Sequence, residues 1–460
     1  MIIEIILVAI TLAAVGYLIV KKYNPALSLI IGGLVLLLGA WALGHPLYDA
    51  ESGGGTGFGL FDVFMQLKDT VITQLGSAGL VIMILFGYSA YMNKIGANQM
   101  AVDIMVKPLM HIKHKALFVP AVFILGNIMS LVVPSASSLA IILMAILYPI
   151  LIRMGISSLT AAGVIACTAT IMPTPLGADN VIAAETLKYE LLDYVAYNAR
   201  IAIPALLIMC VAHFFWQKWC DKREGAAAFV DIEESNLQAQ EKVDVPRFYA
   251  IFPLLPLVLI LGVGIAAMFV DGLKMDIFVL TFISFFAALV TETIRKKSFM
   301  AVQSDAAEMF RGMGQGFSQV VVLVVGGSLF TTGIQKLGLI DALTNSVEGS
   351  TAAGLMVMLI FAAATCLFGI LSGGGLAMFY AVIALIPGIA SAAGVDGILI
   401  SLPMQLIANL TRGISPVAAV IMIVAATVNV APTKILKRTS VPSIIGIISV
   451  VLLSMTLLPY

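Results

Sequence analysis

Apolar residues run along this chain in long blocks rather than alternating with polar ones. The blocks at 2–20, 26–43, 78–92, 160–184, 201–216, 249–270, 277–290, 316–332, 399–430 and 441–458 approach or exceed the length of a bilayer-spanning helix. Two more blocks, 116–153 and 351–391, are long enough for two arms each but are broken centrally, by Pro134-Ser135-Ala136-Ser137-Ser138 and by Ser372-Gly373-Gly374-Gly375. They read as re-entrant hairpins, the first inward and the second outward. Two spans, over 160–195 and 397–430, carry Pro, Gly and hydroxyl residues at mid-length and read as interrupted helices. The stretches 58–74 and 299–315 are amphipathic and read as helices lying in the membrane interface. The fold class expected is an all-α polytopic membrane protein with about ten full spans, two hairpins and two interrupted transmembrane helices.

Composition agrees with this and closes other classes. The chain has 460 residues, of which 61% are hydrophobic and 11% charged, a balance that a water-soluble domain could not carry without large exposed apolar patches. Lys plus Arg and Asp plus Glu both number 25, so no basic excess suggests nucleic acid. The position of the charges is more informative than their sum. With two hairpins and the N-terminus outside, Lys21, Lys22, Lys113, Lys115, Lys218, Arg223, Arg295, Lys296, Lys297, Lys437 and Arg438 fall on the cytoplasmic side, and both termini lie outside. The first block lacks a basic leader and a small-residue cleavage pattern, so it reads as a retained span. Four cysteines make neither a disulfide framework nor a metal-ligand spacing, and no cofactor is expected. The long polar segment 217–247 reads as a cytoplasmic linker between 1–216 and 248–460.

Those two parts resemble each other. Gly87 to Gly96 parallels Gly327 to Gly338, Ser135-Ala136-Ser137-Ser138-Leu139-Ala140 parallels Ser372-Gly373-Gly374-Gly375-Leu376-Ala377, and Gly155-Ile156 parallels Gly394-Val395. The run from Pro173 to Val181 then parallels that from Asn409 to Val417. An odd number of spans separates the copies, so they are expected to be inverted. Inverted repeats with broken helices are an architecture of secondary transporters, which hold substrate at mid-membrane where the breaks meet.

The four breaks set helix starts at Leu139, Leu376, Val181 and Val417, and four converging N-termini amount to roughly two positive charges, a match for a small dianion. Around them stand the candidate substrate-binding residues Ser135, Ala136, Ser137, Ser138, Thr174, Gly177, Ser372, Gly373, Gly374, Asn409, Thr411, Arg412 and Ser415. Hydroxyls, amides and free backbone N–H groups suit carboxylate oxygens. Arg412 offers a bidentate fork for a carboxylate, the alternative being a structural ion pair with a neighbouring carboxylate such as Asp179. Asp179 with Asn180 is the candidate coupling-ion site, the alternative for Asp179 being a helix cap. His213, His111 and His114 read as interfacial residues. No P-loop, His-Glu-x-x-His or Gly-x-Ser-x-Gly occurs in a suitable context, which leaves ATP-driven transport and hydrolysis without support. A cation/proton or other organic-anion antiporter on the same scaffold is the competing reading, with a membrane enzyme behind it.

Several runs carry a family likeness: His213-Phe214-Phe215-Trp216-Gln217, Gly87-Tyr88-Ser89-Ala90-Tyr91-Met92 with Ile95-Gly96-Ala97-Asn98, Asn409-Leu410-Thr411-Arg412 with Ser415-Pro416-Val417, and Lys437-Arg438-Thr439-Ser440-Val441-Pro442. They resemble the anaerobic C4-dicarboxylate carrier family DcuC, and the likeness extends nearly end to end. The resemblance implies a homodimeric secondary carrier in a bacterial inner membrane, with a fixed scaffold, a moving transport unit and succinate, fumarate or malate as cargo. The hairpin tips Ser135-Ala136-Ser137 and Ser372-Gly373-Gly374 depart from the Ser-Asn-Thr tips of sodium-coupled dicarboxylate carriers, so coupling to H+ or plain exchange is expected ahead of Na+.

Overall fold

A computed structural model describes residues 2–48, 54–112, 117–131, 133, 135–229, 245–270, 272–273, 276–339 and 351–459. Among these no strand occurs, and twelve helices are long and apolar enough to cross a membrane. Helices are what an apolar solvent demands, because each closes its own backbone hydrogen bonds within one segment. Large apolar side chains such as Ile3, Phe269, Ile360 and Leu452 face outward where a soluble protein would carry charge. Most of the expected linker, 230–244, and residues Pro134 and His114 lie outside the described part.

The helices form two packing sets, each drawing on both halves of the sequence. One contains Ile2–Val20, Pro25–Ala42, Gly59–Lys94, Arg247–Ala267, Ile277–Lys296 and Phe299–Lys336. Its members meet at glycines: a Cβ on Gly33 would lie 2.9 Å from the Phe330 nitrogen, and one on Gly87 would lie 2.5 Å from the Met309 carbonyl oxygen. The second set contains Phe118–Met129, Ala136–Arg153, the helices Ser158–Ala166 and Ala178–Leu187, the long helix Leu191–Glu224, and the elements from Thr351 to Leu457.

Both interrupted spans are present. Ser158–Ala166 stops before an irregular stretch through Ala169, whose φ is +54°, and Pro173 and Pro175, and the helix resumes at Ala178–Leu187. The second, Gly397–Leu410, tightens into a 3-10 turn over Thr411–Ile414, is extended at Ser415, turns through Pro416 and Val417, and resumes at Ala419–Thr427. Lys188, at φ +59°, ends the first span, so 191–195 belongs to the next helix rather than to the interrupted element.

The two broken blocks form arms that meet at tips, Phe118–Met129 with Ala136–Arg153 and Thr351–Ser372 with Leu376–Ala393. Three arms have 18 to 22 residues, about 27 to 33 Å at 1.5 Å per residue, so length does not distinguish re-entrance from crossing. Tip position is more telling. Gly375 N–H donates to the Ala408 carbonyl at 3.1 Å, seating the second tip against the interrupted helix beside its break. Gly373 has φ +92°, and its Cβ would lie 2.8 Å from the Val417 carbonyl oxygen, so only glycine fits.

Two boundaries differ from the sequence reading. The amphipathic stretches run straight into the following spans, as Gly59–Lys94 and Phe299–Lys336, through π-turns at Leu75–Gly79 and Phe317–Val321, with a kink at Ser77. The non-helical backbone at Ser77 keeps Gly59–Gln74 a helix distinct from its span, whereas Phe299–Gly316 passes into its span through the π-turn with helical backbone throughout. The helix Leu191–Glu224 extends eight residues into the expected 217–247 linker. Its polar end is helix-compatible in composition and is held by an ion-pair cluster: Arg438 donates to Asp221 at 2.7 Å and to Glu224 at 2.5 Å. His213 on this helix is fully buried, its ring 4.7 Å from that of Phe123 and Nδ1 3.4 Å from the Gln217 amide, rather than interfacial.

Candidate functional site

On the seam between the two sets lies a cavity of about 560 Å³. Four helix starts reach it: Ala136, Ala178, Leu376 and Ala419 all line its wall. Three of these differ by two or three residues from the starts read in sequence at Leu139, Val181 and Val417. Local capping explains the first, because the Ser135 hydroxyl accepts the Ser138 N–H at 3.3 Å and begins the helix early. Pro416 delays the last by holding the residue before it extended.

One acid and one base stand in the wall, Asp179 and Arg412, and Tyr380 lines it beside them. They do not pair directly; among the described residues no Asp179–Arg412 contact falls within 4 Å. Asn409 joins them instead. Its Oδ1 accepts from Arg412 Nη2 at 2.7 Å, and its Nδ2 donates to Asp179 Oδ2 at 2.9 Å and to the Gln405 carbonyl at 3.2 Å. The other guanidinium N–H groups have no acceptor among the described residues, and Arg412 is only partly buried, so the unused fork edge is left to whatever enters the cavity.

Behind this triad runs a ladder of amides. Asn180 Oδ1 accepts from Asn198 Nδ2 and from Gln405 Nε2, both at 2.8 Å, while Asn180 Nδ2 donates to the Thr174 carbonyl at 2.9 Å. Tyr194 O–H donates to Gln405 Oε1 at 2.7 Å. This ties the restart of one interrupted span to the body of the other and to the long helix. It also occupies the one Asn180 atom able to ligate a cation with two N–H donors.

Eleven of the residues singled out in the sequence line the cavity: Ser135, Ala136, Ser137, Ser138, Thr174, Gly177, Asp179, Asn180, Gly373, Asn409 and Arg412. Ser372, Gly374, Thr411 and Ser415 do not. The Ser415 hydroxyl donates to the Ile370 carbonyl at 2.7 Å, Thr411 to Ala408 at 2.8 Å and Ser372 to Phe368 at 2.8 Å, so these hydroxyls fasten the second hairpin and its neighbour. Gly374 stands 3.9 Å from Arg412 Cγ by its notional Cβ, with open space otherwise. Sequence reasoning missed Gln405 and Asn198, and on the opposite wall Ser89, Asn93, Gln315 and Gln319. Their signal was an isolated amide or hydroxyl within an apolar block.

A helical membrane protein whose broken spans and hairpin tips gather around a polar, charge-paired cavity belongs to the class of transporters. The comparisons specify the family. The family model for the C4-dicarboxylate anaerobic carrier DcuC matches residues 3–459. The chain is 32% identical over 462 residues to the anaerobic C4-dicarboxylate transporter DcuC of Escherichia coli K12, covering 99% of this chain and 97% of that one. It is 34% identical over 460 residues to the probable anaerobic C4-dicarboxylate transporter DcuC of Vibrio cholerae, covering 99% and 98%. In fold it is similar to the YdaH transporter of Alcanivorax borkumensis, with TM-score 0.64, 14% identity and 94% and 98% of the two chains covered. MtrF of Neisseria gonorrhoeae, reported as illuminating a class of antimetabolite efflux pumps, gives TM-score 0.60 at 14% identity over 95% of each chain. The chain belongs to the DcuC family of C4-dicarboxylate carriers, a multi-pass bacterial membrane protein and a carrier rather than an enzyme.

Proposed function

We propose that this carrier moves succinate, fumarate or malate by efflux or exchange, with a proton on Asp179 as the coupling ion, and that it works as a homodimer in the bacterial inner membrane with both termini periplasmic. The observation that carries the reading is the arrangement at the cavity: a guanidinium with unused donors, four helix N-termini, and a single carboxylate 2.9 Å from the amide that also holds that guanidinium. A dicarboxylate entering a site of this kind meets charge-assisted donors at one end and backbone N–H groups at the other. Asp179 opposes it while ionised and admits it once protonated, which ties substrate to proton.

The inverted repeat expected from the sequence would support an alternating-access mechanism of elevator type. The hairpins and interrupted spans belong to one packing set and carry most of the cavity, while Ser89, Asn93, Gln315 and Gln319 belong to the other, so a sliding of one set against the other would carry the site across a neutral polar wall. The amides around Asn180 are already committed to one another, which favours protons over sodium there. The test is counterflow of labelled succinate into proteoliposomes, with and without sodium or a pH gradient. Counterflow that needs no sodium, with net flux accelerated by a pH gradient, supports the reading; a strict sodium requirement refutes it.

A further inference from the structure

The sequence places Asn409 among the substrate contacts, yet both of its N–H donors, the groups a carboxylate would need, are already used. Its Nδ2 has two hydrogens, and these go to Asp179 Oδ2 and to the Gln405 carbonyl; its Oδ1 takes the Arg412 Nη2 donor. Asn409 is also only 6% exposed, so although it lines the cavity little of it is left free there, and its amide lies between the two charged groups. The orientation of the amide follows from chemistry. A guanidinium can only donate and an ionised carboxylate can only accept, so the carbonyl must face Arg412 and the amino group Asp179.

We propose that Asn409 is a positioning residue through which the charge on Asp179 controls the Arg412 guanidinium. With Asp179 ionised, the charge-assisted bond to Asn409 Nδ2 fixes the amide, and the fixed carbonyl holds Arg412 back against the second interrupted span. When hydronium gives a proton to an Asp179 carboxyl oxygen, one O–H bond breaks in the donor, one forms on the carboxyl group and water leaves; the bond from Asn409 then loses its charge assistance and roughly half its strength. The amide is then free to turn, and Arg412 is released to a substrate carboxylate. Proton and dicarboxylate are thereby loaded in one order. This rests on the reading of Asp179 as the coupling residue and adds the part that transmits its state.

The surroundings leave few other titrating groups to produce such an effect. Tyr380 from the second hairpin lines the same cavity, and Tyr194 from the long helix is engaged with Gln405. The first long helix faces the cavity with Ser89 and Asn93; its Tyr88 is bonded to the Phe252 carbonyl, and its Lys94 lies 3.7 Å from Asp305. The π-turn Leu75–Gly79, the helix Gly397–Leu410 and the segment from Ile383 to Ala393, which also pack near Asp179, contain no titratable side chain.

The experiment measures the apparent KM for succinate–succinate exchange in proteoliposomes at equal pH on both sides, over the pH range in which the wild type responds. Wild type should show KM falling by about tenfold as pH falls, the scale of one charge-assisted hydrogen bond. Asn409→Leu matches asparagine in shape and keeps Arg412 and Asp179 apart, but cuts the bridge, and should flatten this dependence to about twofold or less. Asn409→Asp still accepts from Arg412 but cannot receive the ionised Asp179, so it should hold the guanidinium more tightly and raise KM at high pH. Opposite effects from the two variants are what a packing role would not give. If Asn409→Leu keeps the full tenfold response while Asp179→Asn loses it, through-space charge suffices and the relay through Asn409 is wrong. If Asp179→Asn keeps the response, the coupling reading itself falls. If both Asn409 variants are monodisperse yet inactive at every pH, Asn409 contacts substrate directly and the proposal is overturned.

Discussion

Two arginines inside the helical body of this carrier, one buried and one facing the cavity, meet opposite fates. Arg438, on the last helix, is completely buried and spends both Nη groups on Asp221, Glu224, Thr160 and Gln217, with Lys437 adding a second partner to Glu224 at 2.6 Å. Arg412 faces the cavity and is held by one neutral amide, Asn409. A guanidinium answered by two carboxylates is electrostatically complete and serves as a clamp between the long helix, the start of the first interrupted span and the last helix. One answered by an amide keeps its full charge and most of its donors for an incoming anion. The difference lies in what stands three residues away: Asn409 precedes Arg412 on its own helix, whereas the acids facing Arg438 come from a distant part of the chain.

The contrast can be broken most sharply at the clamp. Arg438→Ala leaves Asp221 without its ion-pair partner and Glu224 with Lys437 alone, and should cost about 3 kcal/mol of stability, seen as a clear fall in the unfolding temperature of purified protein. Transport should fall only in proportion to folded protein. A variant that keeps its unfolding temperature while losing transport would erase the distinction between the two arginines.

The second hairpin sharpens the comparison on the cavity side. Gly373→Ala places a methyl 2.8 Å from the Val417 carbonyl oxygen at a φ of +92°, so the tip must shift, at a cost of about 1–3 kcal/mol, and labelled succinate uptake should be lost. Gly374→Ala meets only Arg412 Cγ at 3.9 Å and should keep most uptake. Equal damage at both positions would mean that the tip tolerates no side chain at all and that the specific clash is irrelevant.

The smallest effect is expected at Ser415. Removing its hydroxyl in Ser415→Ala loses one bond to the Ile370 carbonyl, about 1 kcal/mol, and should lower the unfolding temperature slightly without altering succinate KM. A selective rise in KM would return Ser415 to the binding wall.

How far the sequence reveals this molecule follows from what each signal is made of. Spans and breaks are legible because apolar blocks and the Gly, Pro and Ser residues that interrupt them act locally; Arg412 and Asp179 are legible because a charge inside such a block is costly enough to need a reason. Gly373 is legible for the same local cause. The helical course of 217–224 is not, because its partner Arg438 lies more than 200 residues away, and a charged run with no visible partner reads as solvent-exposed linker. The ladder of Asn180, Asn198 and Gln405 is also hidden: each is a lone amide, and only the folded arrangement brings three lone amides together. Ser372, Thr411 and Ser415 illustrate the converse, since hydroxyls near a break serve the joint as readily as the ligand.

The central claim is that Arg412, and not the helix N-termini alone, holds a substrate carboxylate. It is tested most directly by titrating succinate into purified Arg412→Ala by calorimetry, beside wild type and with the unfolding temperature of each recorded. The account predicts an unfolding temperature close to wild type with Kd raised about 30-fold or more, the equivalent of about 2 kcal/mol or more for a desolvated charge contact. A wild-type Kd in this variant would contradict it and make Arg412 a structural residue like Arg438.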